Sequence, residues 1–208
     1  CPLVILACNT ASAKALRTIQ QKDLPQIAPN NRVLGVIRPS TEVLGERTKT
    51  GHVGVLGTIG TIASQSFPIE LSKFAPDTVV HQHACPMWVP LIENQQHEHP
   101  AGQQFIYEDV QAILAQSSEI DTLLLACTHY PVLQQQIEML VGPTIQVVPQ
   151  GPIVAEKLES YLFAHPEMEA RLSKNGSVAY FTSEATAVFN ERAKSFLGDQ
   201  VNSVHHSF

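Results

Sequence analysis

The sequence lacks the features that mark nucleic-acid-binding and membrane proteins. Its 208 residues include 13 Lys and Arg against 19 Asp and Glu, which gives a net charge of −6, and the basic residues form no run. Nucleic-acid binding needs a clustered basic surface, which this pattern does not supply. No apolar stretch approaches the ~20 residues of a membrane-spanning helix. We therefore expect neither a nucleic-acid partner nor a membrane partner.

Cysteine is scarce and unpaired in the sequence. Only four are present, Cys1, Cys8, Cys85 and Cys127, and none forms a CxxC pair. A chain of this size does not need disulfides, so we expect reduced thiols and a cytoplasmic location. The sequence also lacks an initiating Met and enters an apolar run almost at residue 1, from which we expect a fragment of a longer protein.

Short apolar runs alternate with helical patterns along the chain. Each run ends in turn or small polar residues, and the alternation predicts an α/β fold. Pro39 is expected to end the second strand, and residues 95–102, which include Pro100, are expected to form a loop. The predicted strands cover residues 3–8, 32–37, 51–58, 79–84, 122–126, 144–148 and 178–181.

Two of the apolar runs repeat one pattern. Residues 3–8 (LVILAC) and 122–127 (TLLLAC) both close on Leu-Ala-Cys, immediately before small polar residues. Such runs predict buried parallel strands, and ligands of α/β folds lie beyond the carboxyl ends of these strands. A free cysteine is often only a small core residue. Two matched thiols at strand ends instead favour a two-base reaction, with Cys8 and Cys127 on either side of a small substrate.

Other candidate residues are less specific when taken singly. His129, two residues after Cys127, is a candidate acid or base. Thr58 and Thr61 lie in a Gly-Thr-rich turn that offers backbone N–H groups to an anion, although a tight structural turn would have the same composition. Glu93 closes an apolar segment and by itself indicates little.

His81, His83 and Cys85 alternate, so a strand would place them on one face. Zinc is conceivable there, but no fourth ligand is evident nearby in the sequence. We therefore predict no metal site.

Taken together, the motifs resemble the glutamate racemase family of the aspartate/glutamate racemase superfamily. The two cysteine motifs, CNTASA and CTHYP, carry the resemblance, together with the segments between them, and it covers essentially the whole chain. The matching segments are residues 8–13, 35–39 (GVIRP), 57–61 (GTIGT), 85–86 (CP), 89–93 (VPLIE) and 127–131.

The resemblance implies a fold of two similar three-layer α/β domains with the active site in the cleft between them. We predict one domain from residues 1–31 and 149–208, with its first βα units missing, and a second domain from residues 32–148. The two thiols are then expected to lie roughly 7 Å apart, twice a near-attack distance of ~3–3.5 Å.

The resemblance also implies a reaction and residue roles. The family interconverts L- and D-glutamate without a cofactor and supplies D-glutamate for peptidoglycan synthesis. Glutamate is the small-molecule partner, and a homodimer is a candidate assembly. Cys8 and Cys127 match the acid/base thiols, and Glu93 and His129 match assisting groups. The substrate-binding matches are Asn9, Thr10, Thr58, Thr61 and Thr128.

The chain departs from the family pattern at two places. It contains neither the Asp-Ser-Gly strand end, whose Asp assists the first thiol, nor the Pro-Tyr-Gly segment. It carries PQGP at residues 149–152 where many relatives have Asp-Ser. From the first departure we expect these 208 residues alone to be inactive. Two alternatives stay open: a Cys-His hydrolase or transferase that uses Cys127 and His129, and a domain that binds an acidic amino acid without converting it.

Overall fold

Strands and helices alternate in the computed structural model, which describes residues 1–174 and 176–207. Asn175 and Phe208, both within the predicted first domain, lie outside the described residues. The strands are β1 (Leu3–Leu6), β2 (Arg32–Gly35), β3 (His52–Gly57), β4 (Val79–Ala84), β5 (Thr122–Ala126), β6 (Gln146–Pro149), β7 (Tyr180–Thr182) and β8 (Ser203–His205). Every strand pair is parallel, and the predicted α/β class is confirmed.

The helices connect successive parallel strands. They are α1 (Asn9–Lys14), α2 (Leu16–Thr18), α3 (Leu24–Ile27), α4 (Ile37–Arg47), α5 (Ile59–Ala63), α6 (Ser66–Phe74), α7 (Trp88–Glu93), α8 (Pro100–Leu114), α9 (Gln134–Val141), α10 (Gln150–Ala164), α11 (Pro166–Glu169) and α12 (Thr186–Leu197). A π-helical segment, Ile19–Asp23, joins α2 to α3, and a 3-10 turn, Tyr130–Leu133, precedes α9. Among the described residues, no helix is both long and apolar enough to cross a lipid bilayer.

A four-stranded sheet in the order β4-β3-β5-β6 forms the centre of the first compact unit, Cys1–Leu172. All five residues of β5 are buried, and their side chains alternate between the two faces of the sheet. Leu123 and Leu125 pack into the core on one face, whereas Leu124 and Ala126 pack into the core on the other. Helices therefore cover both faces, as the predicted three-layer arrangement requires.

The two faces are covered by different helices. On one face the buried side chains come from α7 and α8, led by Trp88 and Ile106. On the opposite face they come from α4, α6 and α10, among them Leu44 and Phe67. These layers fix the carboxyl ends of β3 and β5, where the candidate residues lie.

Strands β1 and β2 form a separate two-stranded sheet, in which Leu3 pairs with Arg32 and Leu6 with Gly35. The sequence predicts a strand buried on both sides, but Val4 and Ile5 are 40% and 36% exposed. With one partner strand, β1 has an open edge in the described structure. The pairing links residues on both sides of the predicted boundary at residue 32, and the division into 1–31 with 149–208 and 32–148 stays a prediction.

The second compact unit comprises Ser173–Phe208. Within it, α12 joins β7 to the parallel strand β8, and Gly198 ends the helix with a φ of 73°. Positive φ is a conformation that glycine adopts without steric cost. The sequence predicts β7 but not the short strand β8.

Two prolines lie inside helices rather than at breaks. Pro39 was expected to end β2, yet it is the third residue of α4. Pro100 was expected in a loop, yet it is the first residue of α8, and His99 accepts a hydrogen bond from the Ala101 amide there. The first N–H groups of a helix have no partner within it, so a proline at these positions removes no hydrogen bond.

Candidate functional site

Cys8 lies just after β1 and caps α1. Its Sγ accepts a hydrogen bond from the Ala11 amide at 3.5 Å, and its side chain is exposed. The thiol fills the N-cap position, because the backbone of Cys8 is extended while the next residue is already helical. The first candidate base thus contacts one backbone N–H group and is open to solvent.

Cys127 occupies the equivalent position after β5 and is 8% exposed. Burial raises the pKa of its thiol, and the charge of Cys8 raises this pKa further. Backbone N–H groups of Thr128, His129 and Tyr130 act in the opposite direction, because they stabilise the thiolate. The two thiols follow strands of different sheets.

A histidine lies between the Cys127 thiol and a carboxylate. His129 Nδ1 lies 3.9 Å from the Cys127 sulfur, and His129 Nε2 lies 2.7 Å from Glu93 Oε1. Glu93 is the last residue of α7 and precedes His129 by 36 positions in the sequence. A carboxylate on Nε2 holds the proton there, so Nδ1 faces the sulfur as an acceptor.

Three hydroxyl groups from two helix starts meet in one cluster. Thr10 Oγ1 lies 2.8 Å from Thr58 Oγ1 and 3.3 Å from Thr61 Oγ1, and the latter two are 3.1 Å apart. Thr58 caps α5 by accepting the Thr61 amide. Gly60 permits the approach, since a Cβ there would lie 2.9 Å from Thr10 Cγ2. Hydroxyl groups in such a cluster are suited to donate hydrogen bonds to a carboxylate.

Asn9 is buried next to Cys8 and contacts a residue that sequence reasoning did not select. Asn9 Nδ2 donates to Gln150 Oε1 at 2.5 Å. Gln150 Nε2 in turn donates to the Val36 carbonyl at 3.3 Å and to Ser40 Oγ at 2.8 Å. Because a carbonyl can only accept, this network fixes the orientation of both amides.

Gln150 therefore ties the starts of α1, α4 and α10 together. It is 6% exposed and lies in the PQGP segment, which the sequence reasoning treated only as a departure from Asp-Ser. Its polar side chain at a helix start was the available signal, but the partners are too distant in sequence to be inferred.

The remaining predicted site residue, Thr128, is exposed beside Cys127 and contributes its backbone N–H toward the sulfur. The structure thus groups Cys127 with Thr128, His129 and Glu93. It groups Thr10 separately with Thr58 and Thr61. The roles of all nine predicted site residues stay predictions.

The alternating histidines of β4 have different partners. His81 Nε2 lies 3.1 Å from His52 Nδ1, and the two rings stack. His83 Nε2 instead lies 2.8 Å from Asp109 Oδ1 on α8. Cys85 joins this second pair, and one ligand atom from each of His83, Cys85 and Asp109 lies within 4.8 Å of the other two.

Comparison with known proteins gives one consistent family. The chain is 32% identical over 204 residues to glutamate racemase of Streptococcus suis (strain 05ZYH33), covering 98% of this chain and 74% of that protein. It is 35% identical over 207 residues to glutamate racemase of Shouchella clausii (strain KSM-K16), covering 98% and 71%. No family model matches the chain.

Solved structures of glutamate racemases have the same fold as this chain. Glutamate racemase isoform RacE1 from Bacillus anthracis superposes with a TM-score of 0.86 at 29% identity, covering 100% of this chain and 74% of that chain. A Francisella tularensis glutamate racemase, solved in complex with D-glutamate, has the same fold, with a TM-score of 0.79 at 23% identity and coverage of 100% and 73%. The chain thus spans about three quarters of the length of these relatives.

Proposed function

The chain belongs to the glutamate racemase family of amino-acid isomerases, and we propose that it interconverts L- and D-glutamate with Cys8 and Cys127 as its two acid–base groups. One observation carries the proposal: Thr10, two residues after Cys8, lies 2.8 Å from Thr58 at the end of β3, and β3 pairs with β5, which leads to Cys127. A reaction that inverts one carbon needs two such groups, one on each face.

The reaction is a pair of proton transfers at the glutamate Cα. One thiolate removes the Cα proton and becomes a thiol, while the opposite thiol delivers a proton to the other face and becomes a thiolate. The two enantiomers use the same pair in opposite roles. No electron sink enters this scheme, so the protein lowers the barrier by geometry and by fixed dipoles.

His129 and Glu93 poise Cys127 in this scheme. Burial favours the Cys127 thiol, which suits it to donate a proton. When Cys127 must abstract, His129 Nδ1 at 3.9 Å accepts the thiol proton, and Glu93 stabilises the resulting imidazolium through Nε2. The three backbone N–H groups beside the sulfur then stabilise the thiolate.

The cluster of Thr10, Thr58 and Thr61 is the proposed binding site for a substrate carboxylate. Thr10, Thr58 and Thr61 present hydroxyls within 3.3 Å of one another, and each can redirect its proton toward an anion. Asn9 and Thr128 are the proposed contacts to the rest of glutamate. A glutamate bound in this way would have its Cα held between the two sulfurs.

We also propose a cellular role, a compartment and an assembly for the protein. The product D-glutamate is a peptidoglycan component, so the proposed role is cell-wall synthesis and maintenance of cell shape. Free thiols as acid–base groups require a reducing compartment, which favours the cytoplasm. A homodimer is the proposed assembly. Membership of an isomerase family argues against the Cys-His hydrolase alternative, which needs only one of the two thiols.

Turnover without a cofactor tests the proposal. The chain preceded by a relative's segment that carries the Asp-Ser-Gly motif, purified, dialysed and treated with a carbonyl-trapping reagent, is expected to form D-glutamate from L-glutamate, as measured by chiral chromatography. A matched Cys85→Ser variant keeps the two proposed bases and is expected to retain activity, whereas Cys127→Ser is expected to lose it. Binding of glutamate by calorimetry with no D-glutamate formed would instead support a non-catalytic binding domain.

A further inference from the structure

A second thiol-containing cluster lies apart from the two proposed bases. His83 is in β4, Cys85 follows that strand directly, and Asp109 lies on α8. One ligand atom from each lies within 4.8 Å of the other two, and the His83 Nε2 to Asp109 Oδ1 distance is 2.8 Å. None of the three has a part in the proposed racemisation.

The backbone around Cys85 is fixed in place. The Cys85 amide donates to the Gly57 carbonyl at 2.9 Å, and the Tyr130 hydroxyl donates to the Cys85 carbonyl at 3.0 Å. Cys85 is 1% exposed, whereas the side chains of His83 and Asp109 are 25% and 18% exposed. The Cys85 backbone is thus held in place at the buried end of the cluster, and the other two side chains are partly exposed to solvent.

We propose that His83, Cys85 and Asp109 bind a divalent cation of the zinc class, with water completing the coordination. Thiolate, imidazole and carboxylate are the ligand types that zinc takes in proteins. The two anionic ligands, Cys85 and Asp109, balance the charge of a divalent ion, and binding releases the Cys85 thiol proton to solvent. This proposal differs from the sequence-based prediction of no metal site. Its third ligand, Asp109, lies 24 positions beyond Cys85, and His81, which the sequence groups with His83 and Cys85, faces His52 instead.

The rearrangement that the ion requires is small. Zinc sits ~2.3 Å from sulfur and ~2.0–2.2 Å from nitrogen or oxygen, so ligand atoms of a tetrahedral site lie ~3.3–3.8 Å apart. The His83–Asp109 pair must open slightly and the farthest pair must close by about 1 Å. Both changes involve partly exposed side chains, and the fixed Cys85 need not move.

The test uses cobalt(II) as a spectroscopic probe of the 208-residue chain. A variant with Cys1, Cys8 and Cys127 all changed to Ser keeps Cys85 as its single cysteine. We expect it to bind one Co²⁺ with a sulfur-to-cobalt charge-transfer band, and Zn²⁺ to displace the Co²⁺. Adding Cys85→Ser should abolish the band. A band that is absent from the Cys85-only protein while circular dichroism shows it folded, or a band that survives Cys85→Ser, would overturn the proposal.

A second measurement avoids multiple substitutions. In the otherwise native chain, Asp109→Asn is expected to weaken Zn²⁺ binding by at least ~10-fold, measured by competition with a chromophoric chelator. Asp77→Asn, which removes the same charge at an exposed position, is the matched control and should leave the affinity unchanged. Equal affinities in the two variants would contradict the site, whatever the outcome of any racemase assay.

Discussion

At the scale of single residues, the two thiols at the ends of similar sequence motifs have different surroundings. Cys8 is exposed and caps a short helix, whereas Cys127 is almost fully buried and faces a histidine. The repeated Leu-Ala-Cys pattern predicts that both cysteines lie at strand ends; Cys127 directly follows β5, whereas β1 ends at Leu6, two residues before Cys8. It carries no information on this asymmetry, because burial depends on the segments that cover each strand.

The buried thiol has a testable pH dependence. Burial raises the pKa of Cys127, so its thiolate should form only at a higher pH in the folded protein than in urea. Alkylation by iodoacetamide, resolved by peptide mass spectrometry, should therefore reach half its maximal rate above the ordinary thiol value of about 8.5. The urea-unfolded chain is the internal control. A midpoint at or below that of the unfolded chain would contradict the assigned environment.

Gln150 is the residue on which the buried polar network depends. Gln150→Met keeps the size of the side chain but leaves Asn9 Nδ2 and Ser40 without this partner, which should cost about 1–3 kcal/mol of unfolding free energy. Gln103→Met, at an exposed position of α8, is the control and should change stability by less than ~0.5 kcal/mol. Urea denaturation measures both, and equal midpoints would refute the role given to this network.

At the scale of elements, local rules identified the strands of the central sheet but misplaced the starts of α4 and α8. The buried run of β5 and the turn into α5 follow from composition and periodicity. The starts of α4 and α8 did not, since a proline is compatible with both a strand end and the first turn of a helix. Only the packed structure distinguishes these outcomes, through side chains such as Leu44 that bury the α4 face.

The close approach of α1 to α5 gives a prediction about substrate binding. Gly60→Ala places a Cβ 2.9 Å from Thr10 Cγ2, which should separate Thr10 from Thr58 and Thr61. Loss of one hydrogen bond worth ~1 kcal/mol should raise KM for glutamate by about three- to tenfold, with a smaller change in kcat. Gly151→Ala, with nothing within 4 Å of its Cβ, is the matched control. An unchanged KM in Gly60→Ala would remove the cluster from the substrate site.

At the scale of the whole molecule, the sequence motifs led to the family, and the comparisons confirm it. The α/β class and the strand-end position of both cysteines followed from the sequence. The proposed metal-ligand set and the Gln150 network did not, because they join residues from two and three separated segments, respectively. Periodicity reports local structure, whereas these clusters depend on which helices cover which strands.

The motifs that the chain does not contain give a prediction about activity. In the glutamate racemase family, which the sequence resembles, an Asp-Ser-Gly segment supplies the Asp that assists the first thiol. The 208 residues alone should therefore racemise glutamate at least ~100-fold more slowly than the same chain preceded by a relative's segment with this motif, as expected for loss of acid–base assistance. Chiral chromatography of both proteins measures the ratio. Equal rates would show that Cys8 needs no such partner.

Deuterium exchange in single-thiol variants tests the two-base account most directly. In the racemising form of the protein, Cys8→Ser and Cys127→Ser should each lose racemisation by ~10²–10⁴-fold, because a serine hydroxyl replaces neither base nor acid. In heavy water, Cys127→Ser should still exchange the Cα proton of D-glutamate through Cys8, and Cys8→Ser that of L-glutamate through Cys127, as proton NMR would record. Racemisation at the native rate in either variant, or exchange of both enantiomers by one thiol alone, would contradict the account.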